Sequence, residues 1–372
     1  MHADRFRHLA DTTGPFVSVY FDDSHDTADA AAQLDARLRD VRKHLEEAVA
    51  EGRIDAGVIE AIDASVRAKH PPVGRSGRGV IAAGTRIVLD QHLAVPPVTT
   101  IIRVSDLPYL LPVVEHGIPH TAYLLVAVDG TGGDISLYDD GRSGSQTVEG
   151  SGYPVHKAHK AETAGYGGPQ GRVEEAVRRN IREVAEQVTK VCDDSGADVV
   201  FITGEVASRA ELLAELPERV AVKAVQLRGG GRAAGTDQAE VAHEIGEQFA
   251  PRRRAVIEDA AERFNAGHGA GLAIEGLTDV TAALRDGSVE TLIVGDIGQA
   301  TIVADHDQLL LCGTDVATVS DLGGSPDRVL PADEALPLLA VICGASIVRA
   351  DGLLSPADGV AAVLRYADPN IG

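Results

Sequence analysis

Two adjacent glycines followed closely by a glutamine form the part of this sequence whose residue types could do chemistry. Gly167, Gly168 and Gln170 lie in GYGGPQGR, residues 165–172, at the end of a polar stretch that begins at Gly150. Glycine tolerates positive φ and allows close approach of a partner to its backbone. Glutamine offers a side-chain donor and acceptor besides its backbone N–H. A glycine pair alone is typical of an ordinary surface turn, so the surrounding residues decide what this segment does.

Basic residues surround the segment, although the chain as a whole is acidic. Residues 155–182 contain six Lys and Arg against three Glu, whereas the formal net charge of all 372 residues is −22. Such a chain is excluded as a general polyanion binder, but it can bind RNA through one local basic face. The predicted contact residues of this face and loop are His156, Lys157, His159, Lys160, Tyr166, Gly167, Gly168, Pro169, Gln170, Arg172, Arg178, Arg179 and Arg182.

The loop must be positioned by the elements on either side of it. Residues 123–128 and 134–138 predict a β-hairpin joined through glycines. After the loop, apolar residues recur at spacings of four and three from near Val173 to Val191, which predicts a long helix with its arginines on the opposite face. A strand at 199–203, a helix near 209–216 and a strand at 220–227 complete the predicted α/β unit.

Proline and glycine punctuation divides the chain into three predicted domains: an N-terminal α+β domain (1–118), a middle domain with the 150–172 loop (119–235), and a C-terminal α/β domain (236–372). The second boundary includes the glycine run 229–231, interpreted as a linker. The third domain opens with a helical segment at about 238–266, which Pro251 is expected to kink or restart.

Other catalytic chemistries lack their residue patterns. GRSGR (74–78) and GRSGS (141–145) lack the final glycine of a nucleophile elbow, and no Walker A pattern occurs. The three cysteines are isolated, which favours reduced buried thiols. No catalytic residue, cofactor or metal is predicted. Three aspartates could in principle converge on a metal: Asp22, Asp129 and Asp134. We interpret them as turn residues.

No uninterrupted apolar run is long enough to span a bilayer. We therefore expect a cytoplasmic protein with neither a membrane nor a DNA partner.

Four segments carry a family resemblance. GLTDVTAALRDGSVETLIVGD (276–296) and the closing AAVLRY (361–366) resemble the archaeal and eukaryotic peptide-release-factor and Pelota superfamily. The predicted middle domain is similar to the release-factor domain whose loop bears Gly-Gly-Gln, and SVYFD (18–22) is similar to bacterial members. The resemblance implies a three-domain release-factor-like architecture, α/β and α+β, with a Gly-Gly-x-Gln loop in the middle domain.

In release factors that loop enters the peptidyl-transferase centre, and the backbone N–H of its glutamine stabilises the hydrolytic transition state. Here Pro169 separates Gly168 from Gln170, which displaces the glutamine along the loop. The Asn-Ile-Lys-Ser codon-reading segment is also missing. The sequence therefore resembles the Balon-type ribosome hibernation factors of the superfamily. This implies binding in the ribosomal A site against 23S and 16S rRNA, together with elongation factor Tu, in a stress response.

Two alternatives remain open from the sequence. One is a peptidyl-tRNA hydrolase or ribosome rescue factor of the same superfamily that uses Gln170. The other is an acidic α/β stress protein that binds a partner protein and no RNA.

Overall fold

The structure is a computed structural model that describes residues 3–25, 27, 29–68, 75–117, 122–139, 142–151, 169–232, 238–350 and 352–367. Its contacts divide the chain into two compact units. The unit that we call the split unit comprises Met1–Pro71, Arg75–Pro119 and Gln248–Gly372. The middle unit comprises Pro72–Gly74 and His120–Glu247.

The N-terminal part of the split unit is a sheet covered by two helices. Its elements are α1 (Arg7–Ala10), β1 (Phe16–Asp22), α2 (Ala30–Ala50), α3 (Gly57–Ala68), β2 (Gly77–Ala83), β3 (Arg86–Leu93), β4 (Ile101–Ser105) and α4 (Leu111–His116). The strands form an antiparallel sheet of order β3-β2-β1-β4. Val17, Val19 and Phe21 of β1 pack in one cluster with α2 and α3. Phe16 and Tyr20 belong to a second cluster, so β1 is buried on both faces and FVSVYF is a continuous apolar run.

The middle unit is a five-stranded sheet with helices between its strands. Its elements are β5 (Tyr123–Asp129), β6 (Gly132–Asp139), β7 (Arg142–Glu149), α5 (Pro169–Ser195), β8 (Val199–Gly204), α6 (Val206–Glu215), α7 (Glu218–Ala221), β9 (Ala224–Gln226) and the start of α8 (Gln238–Gly267). The order is β7-β6-β5-β8-β9; β5, β8 and β9 are parallel, and β6 is antiparallel to both of its neighbours.

The predicted apolar stripe of the long helix is confirmed. Ile181, Val184 and Val188 of α5 are fully buried against the β5 and β8 side chains, in a cluster that also contains Leu212 of α6. The predicted hairpin is also confirmed, but the structure adds a third strand, β7. That strand reads RSGSQTVE and carries almost no apolar residues, because it is the exposed edge of the sheet.

The predicted strand at 220–227 is wrong in its first half. Pro217 precedes the short helix α7, and the strand itself is reduced to Ala224–Gln226. Proline fixes φ near the helical value and favours the first turn of a helix. Val220 is therefore buried as a helical residue in the core of the middle unit. Pro251, in contrast, lies inside α8, which continues through it from Gln238 to Gly267.

The C-terminal part of the split unit contains two sheets around a buried helix. Its elements are β10 (Ala273–Glu275), α9 (Leu277–Arg285), β11 (Val289–Val294), β12 (Thr301–Asp305), β13 (Cys312–Gly313), α10 (Val316–Asp321), β14 (Pro326–Pro331), α11 (Ala332–Cys343), β15 (Ser346–Arg349) and β16 (Val360–Leu364). The sheet orders are β10-β16-β11-β15 and β13-β12-β14. Helix α11 is apolar and buried along most of its length.

The two C-terminal segments that carry the family resemblance have structural roles. Gly276 immediately precedes α9 with φ +93, a value that favours glycine. Arg365, from LRY, donates hydrogen bonds to the carbonyl oxygens of Cys343 and Gly344 at the end of α11, at 2.9 and 3.1 Å. Arginine at a helix C-terminus satisfies carbonyls that have no intrahelical partner. These signatures therefore specify the scaffold.

The N-terminal and C-terminal segments share one hydrophobic cluster. It contains Phe16 and Tyr20 of β1, Leu111 of α4, and Leu336 and Leu339 of α11. The three segments that the sequence suggested as separate domains thus lie in two compact units, because the first and third pack together. The predicted boundary after residue 118 lies one residue from the edge of the middle unit, and that unit extends past residue 235 to Glu247.

Candidate functional site

One edge of the middle sheet gathers the chain segments that enter and leave the loop. The register pairs Gly132 with Glu149 and Val128 with Gly204, so the carboxyl ends of β5, β7 and β8 lie at the same edge. The chain leaves this edge after Ser151 and is described again from Pro169, where α5 begins. Ligands of parallel α/β sheets commonly bind outside this edge of the sheet.

A buried asparagine in α5 fixes the geometry of this edge. Asn180 is fully buried, and its Nδ2 donates a 3.0 Å hydrogen bond to the carbonyl oxygen of Gly130 in the β5–β6 turn. A Cβ at Gly150 would overlap the Asn180 side chain, so glycine is required there for close approach. The N–H of Gly150 donates a 2.9 Å bond to the carbonyl of Thr131. Asn180, Gly130, Thr131 and Gly150 form what we call the edge clamp.

A carboxylate of α5 extends the contact to the next residue. Glu183 accepts a 3.0 Å hydrogen bond from the Ser151 N–H and a second one from the Ser151 hydroxyl. The Ser151 hydroxyl and its N–H hold the pKa of Glu183 below its usual range, because both stabilise the charged carboxylate. The last described residue before the loop is therefore tied to the helix that follows the loop.

Helix α5 begins earlier than its apolar pattern predicts. The expected start is near Val173, but the helix starts at Pro169, so the backbone of Gln170 lies in the first helical turn. Proline suits the first position of a helix, because its missing N–H would have no intrahelical acceptor. The backbone N–H groups of this first turn have no intrahelical acceptor either.

The predicted arginine face of α5 is present, and two of its side chains are paired with the neighbouring helix. Arg178 lies 3.4 Å from Glu211 of α6, and Arg182 lies 3.4 Å from Glu215. The arginine side chains are 71% and 61% exposed, so both pairs are solvated. Arg179 is exposed. It also lowers the pKa of Glu183, but less than the Ser151 hydroxyl and N–H do. The arginines therefore share their face with carboxylates.

The remaining predicted contact residues divide into two groups. For the first group the structure describes the backbone only, as part of α5: Pro169, Gln170 and Arg172. The second group lies outside the described residues: His156, Lys157, His159, Lys160, Tyr166, Gly167 and Gly168.

The glycine run 229–231 is packed against the sheet, which corrects its interpretation as a linker. Gly230 has φ +84, and a Cβ there would overlap Thr203 of β8 and Val241 of α8. The hydroxyl of Thr203 donates to the carbonyl of Gly229. Glycine is needed at this position for a close approach between backbone and strand.

Arg232 anchors the same segment at the edge of the sheet. Its guanidinium lies 2.9 Å from Asp129 and 3.1 Å from Asp134, and it donates to the Thr131 hydroxyl. Burial alone would raise the pKa of Asp129, but hydrogen bonds from Thr131 and Arg232 outweigh it and lower this pKa. This contact could not be predicted from sequence patterns, since the partners are 98 to 103 residues apart.

Each of the three aspartates that the sequence analysis interpreted as turn residues lies near an arginine. Asp129 and Asp134 share the Arg232 guanidinium, while Asp22 of the split unit lies 3.4 Å from Arg37. Among the residues that the structure describes, no group of three His, Cys, Asp or Glu side chains could hold a metal ion. Within the same part of the chain, no helix has the length and apolarity required to cross a bilayer.

The fold and the carboxyl edge of the middle sheet define the structural class of the protein. This is a mixed α/β protein whose middle unit brings the end of β7 and an arginine-bearing helix together at the carboxyl edge of its parallel strands. Residues 122–270 match the sequence model of bacterial archaeo-eukaryotic release factor family 2. This match places residues 122–270 in the bacterial branch of the archaeo-eukaryotic release-factor and Pelota superfamily.

The chain is similar to the uncharacterized proteins Rv2629 and MT2704 of two Mycobacterium tuberculosis strains, each 45% identical over 372 residues, covering 100% of this chain and 98% of the relative.

Among solved structures, the chain is similar to an archaeal translation termination factor aRF1, at 14% identity and a TM-score of 0.26, covering 97% of this chain and 96% of that one. It is also similar to Archaeoglobus fulgidus Pelota, at 12% identity and a TM-score of 0.35, covering 98% and 91%.

Proposed function

We propose that this protein is a ribosome-binding hibernation or protection factor. It occupies the A site, directs its 165–172 loop toward the peptidyl-transferase centre and does not hydrolyse peptidyl-tRNA. The observation that carries the proposal is the edge clamp together with the contact between Glu183 and Ser151, in a chain whose residues 122–270 match the release-factor family. These contacts tie Ser151 and α5, on the two sides of the loop, to each other and to the sheet. A clamped base allows a loop to present its tip in one direction.

The position of Gln170 supports the proposed lack of hydrolysis. An oxyanion donor must lie within a fraction of an ångström of the site where charge develops. With Pro169 as the first residue of α5, the Gln170 backbone is committed to a helical turn. A glutamine committed in this way is suited to contact and steric occupation of the centre.

The charge distribution supports rRNA as the partner. Arg178, Arg179 and Arg182 project from the first half of α5, whereas the chain as a whole carries a formal charge of −22. A strongly acidic protein approaches a polyanion through its basic surfaces, and the α5 arginines are the basic surface that lies beside the ends of the loop. Elongation factor Tu is proposed as the accompanying protein partner, on the resemblance to Balon-type factors alone.

The experiment measures cosedimentation of the protein with vacant ribosomes over a range of salt concentrations, with and without elongation factor Tu. Arg178→Glu/Arg179→Glu should weaken binding steeply and flatten its salt dependence. Arg252→Glu/Arg254→Glu, the same charge change on α8, is the matched control and should bind like the native protein. Undiminished binding of the α5 variant would remove this face from the contact. Absence of ribosome binding by the native protein would favour the protein-binding alternative.

The second candidate function is a peptidyl-tRNA hydrolase, and one observation favours it. The first-turn N–H groups of α5, including that of Gln170, have no intrahelical acceptor and can donate to an oxyanion. Peptide release from ribosomes that carry peptidyl-tRNA separates the two functions. Release by the native protein that is lost on deleting residues 165–168, with binding retained, would establish the hydrolase. Gln170→Ala tests the side chain alone, and deletion of Pro169 tests whether a contiguous Gly-Gly-Gln creates activity.

A further inference from the structure

The ion pairs between α5 and α6 form a ladder rather than isolated contacts. Arg178 and Arg182 are one turn apart on α5, and their partners Glu211 and Glu215 are one turn apart on α6. Because both pairs join residues that are 33 positions apart, the two helices run side by side in the same direction. The glutamates thus lie beside the arginines that the proposed function requires for phosphate contacts.

These ion pairs are weak enough for the arginines to exchange their carboxylate partners for phosphate groups. Ion pairs between exposed side chains contribute little to stability, and both arginines are well exposed here. A phosphate group offers the guanidinium a bidentate, charge-assisted contact, and a nucleic-acid backbone offers several in register. We infer that Glu211 and Glu215 are electrostatic placeholders that phosphate groups of an RNA backbone displace when the α5 face binds. This inference rests on the proposed function for its biological partner.

The two carboxylates also lower the affinity for RNA, because they remain near the bound phosphates. A carboxylate that remains within about 7 Å of a bound phosphate opposes binding about threefold in water, and two such groups about tenfold. Replacement of both glutamates by glutamine should therefore raise the affinity for RNA by about three- to tenfold at low salt. The gain should shrink as salt is added, since exposed charges are screened within about 10 Å at ~0.1 M.

The test compares Glu211→Gln/Glu215→Gln with a matched control that removes two exposed carboxylates elsewhere on the same surface. Glu186→Gln/Asp194→Asn makes the same charge change on the second half of α5, where both residues are exposed. The probe is a fluorescently labelled RNA duplex of mixed sequence, titrated with each full-length protein at two salt concentrations. Ribosome cosedimentation of the same proteins forms a second arm.

Tighter RNA binding by the α6 variant, with less or no gain for the control, is the expected result. Equal gains in both variants would show only the effect of net charge and would overturn the placeholder role. Weaker binding by the α6 variant would also overturn it, because the glutamates would then orient the arginines productively. A gain on the duplex by a protein that never binds ribosomes would support the inference and overturn the proposed function. If the native protein binds ribosomes but the α6 variant shows no gain in either arm, the proposed function is supported and the placeholder role is overturned.

Discussion

The edge clamp depends on a single side chain whose position tolerates few substitutes. Asn180 is long enough to reach the Gly130 carbonyl, and it fills the space that a Cβ at Gly150 would need. The buried amide nitrogen has this hydrogen-bond partner, so its burial is not penalised as that of an orphan donor would be. The helix, the β5–β6 turn and the end of β7 therefore meet at one residue.

We expect Gly150→Ala to destabilise the middle unit by about 1–3 kcal/mol, because the added methyl overpacks the clamp. Gly144→Ala, in the preceding strand β7, is the control, since a Cβ there would meet no heavy atom within 4 Å. Urea unfolding of both variants, followed by hydrogen exchange in residues 129–132, measures the effect. In Gly150→Ala/Asn180→Gly all three overlapping atoms of the Asn180 side chain are gone, so the combined cost should be smaller than the sum of the two single costs. Additive costs would contradict the described contact.

Arg232 gives a prediction that depends on pH. The folded-state pKa of Asp129 is lowered, so the unfolded state binds its proton more readily and the contact stabilises the fold only above that pKa. Arg232→Gln should lower stability at neutral pH by about 1–3 kcal/mol, the value of charged hydrogen bonds. The difference between native protein and variant should shrink as the pH falls through the lowered pKa of Asp129. Thermal unfolding across this range checks it, and a difference that is constant with pH would rule out the carboxylate as the cause.

At the scale of elements, sequence patterns were reliable where one physical rule dominates. The β1 run FVSVYF and the valine stripe of α5 follow from burial, so both were predictable. Strand β7 was not, because an exposed edge strand needs few apolar residues. The start of α5 at Pro169 was missed because the apolar stripe begins later than the helix.

The candidate site was predictable only in its local parts. The arginines of α5 could be placed on its polar face, since helical periodicity determines that face. Their pairing with Glu211 and Glu215 could not be foreseen, because α6 packs beside α5 only through the tertiary fold. The same holds for Asn180, because its place among the arginines of α5 does not indicate a buried contact with Gly130, which is 50 residues away in sequence.

Helix α5 thus has two structural roles. Its buried face holds the middle sheet, while Asn180 and Glu183 hold the residues where the loop begins. We expect Glu183→Ala to reduce protection of idle ribosomes more than it reduces binding to them, because Ser151 would lose both of its contacts to the helix. Glu186→Ala, one turn away at an exposed position, is the control. Equal losses of binding and protection, measured by cosedimentation and by subunit survival, would argue against a positioning role.

At the scale of the whole molecule, the chain leaves the split unit after its N-terminal segment and returns to that unit within α8, at Gln248. A polar network accompanies the shared apolar cluster. Arg103 of β4 forms a 2.7 Å ion pair with Asp333 and stacks 4.0 Å from the Tyr109 ring centre, and Glu334 accepts from Ser105. Burial raises the pKa of Glu334, although Ser105 and Arg103 oppose this shift. Such a network favours one relative arrangement of the two segments, because a partner lost from it leaves a buried charge.

The shared cluster predicts how fragments of the chain will behave. Residues 120–247 include a complete core and should fold alone, with cooperative unfolding. Residues 1–119 alone would expose Phe16, Tyr20 and Leu111 to water and should aggregate or bind hydrophobic dyes. Mixed with residues 238–372 during refolding, they should instead form a soluble complex, since each fragment supplies the surface that the other lacks.

Size-exclusion chromatography of the fragments alone and mixed measures this directly. Arg103→Met in the N-terminal fragment should weaken the complex, because it leaves the buried Glu334 without its cation. Arg42→Met, which disrupts only an exposed pair with Glu60 on α3, should leave the complex unchanged. Independent folding of residues 1–119 as a stable monomer that ignores residues 238–372 would restore three separate domains and refute the two-unit organisation.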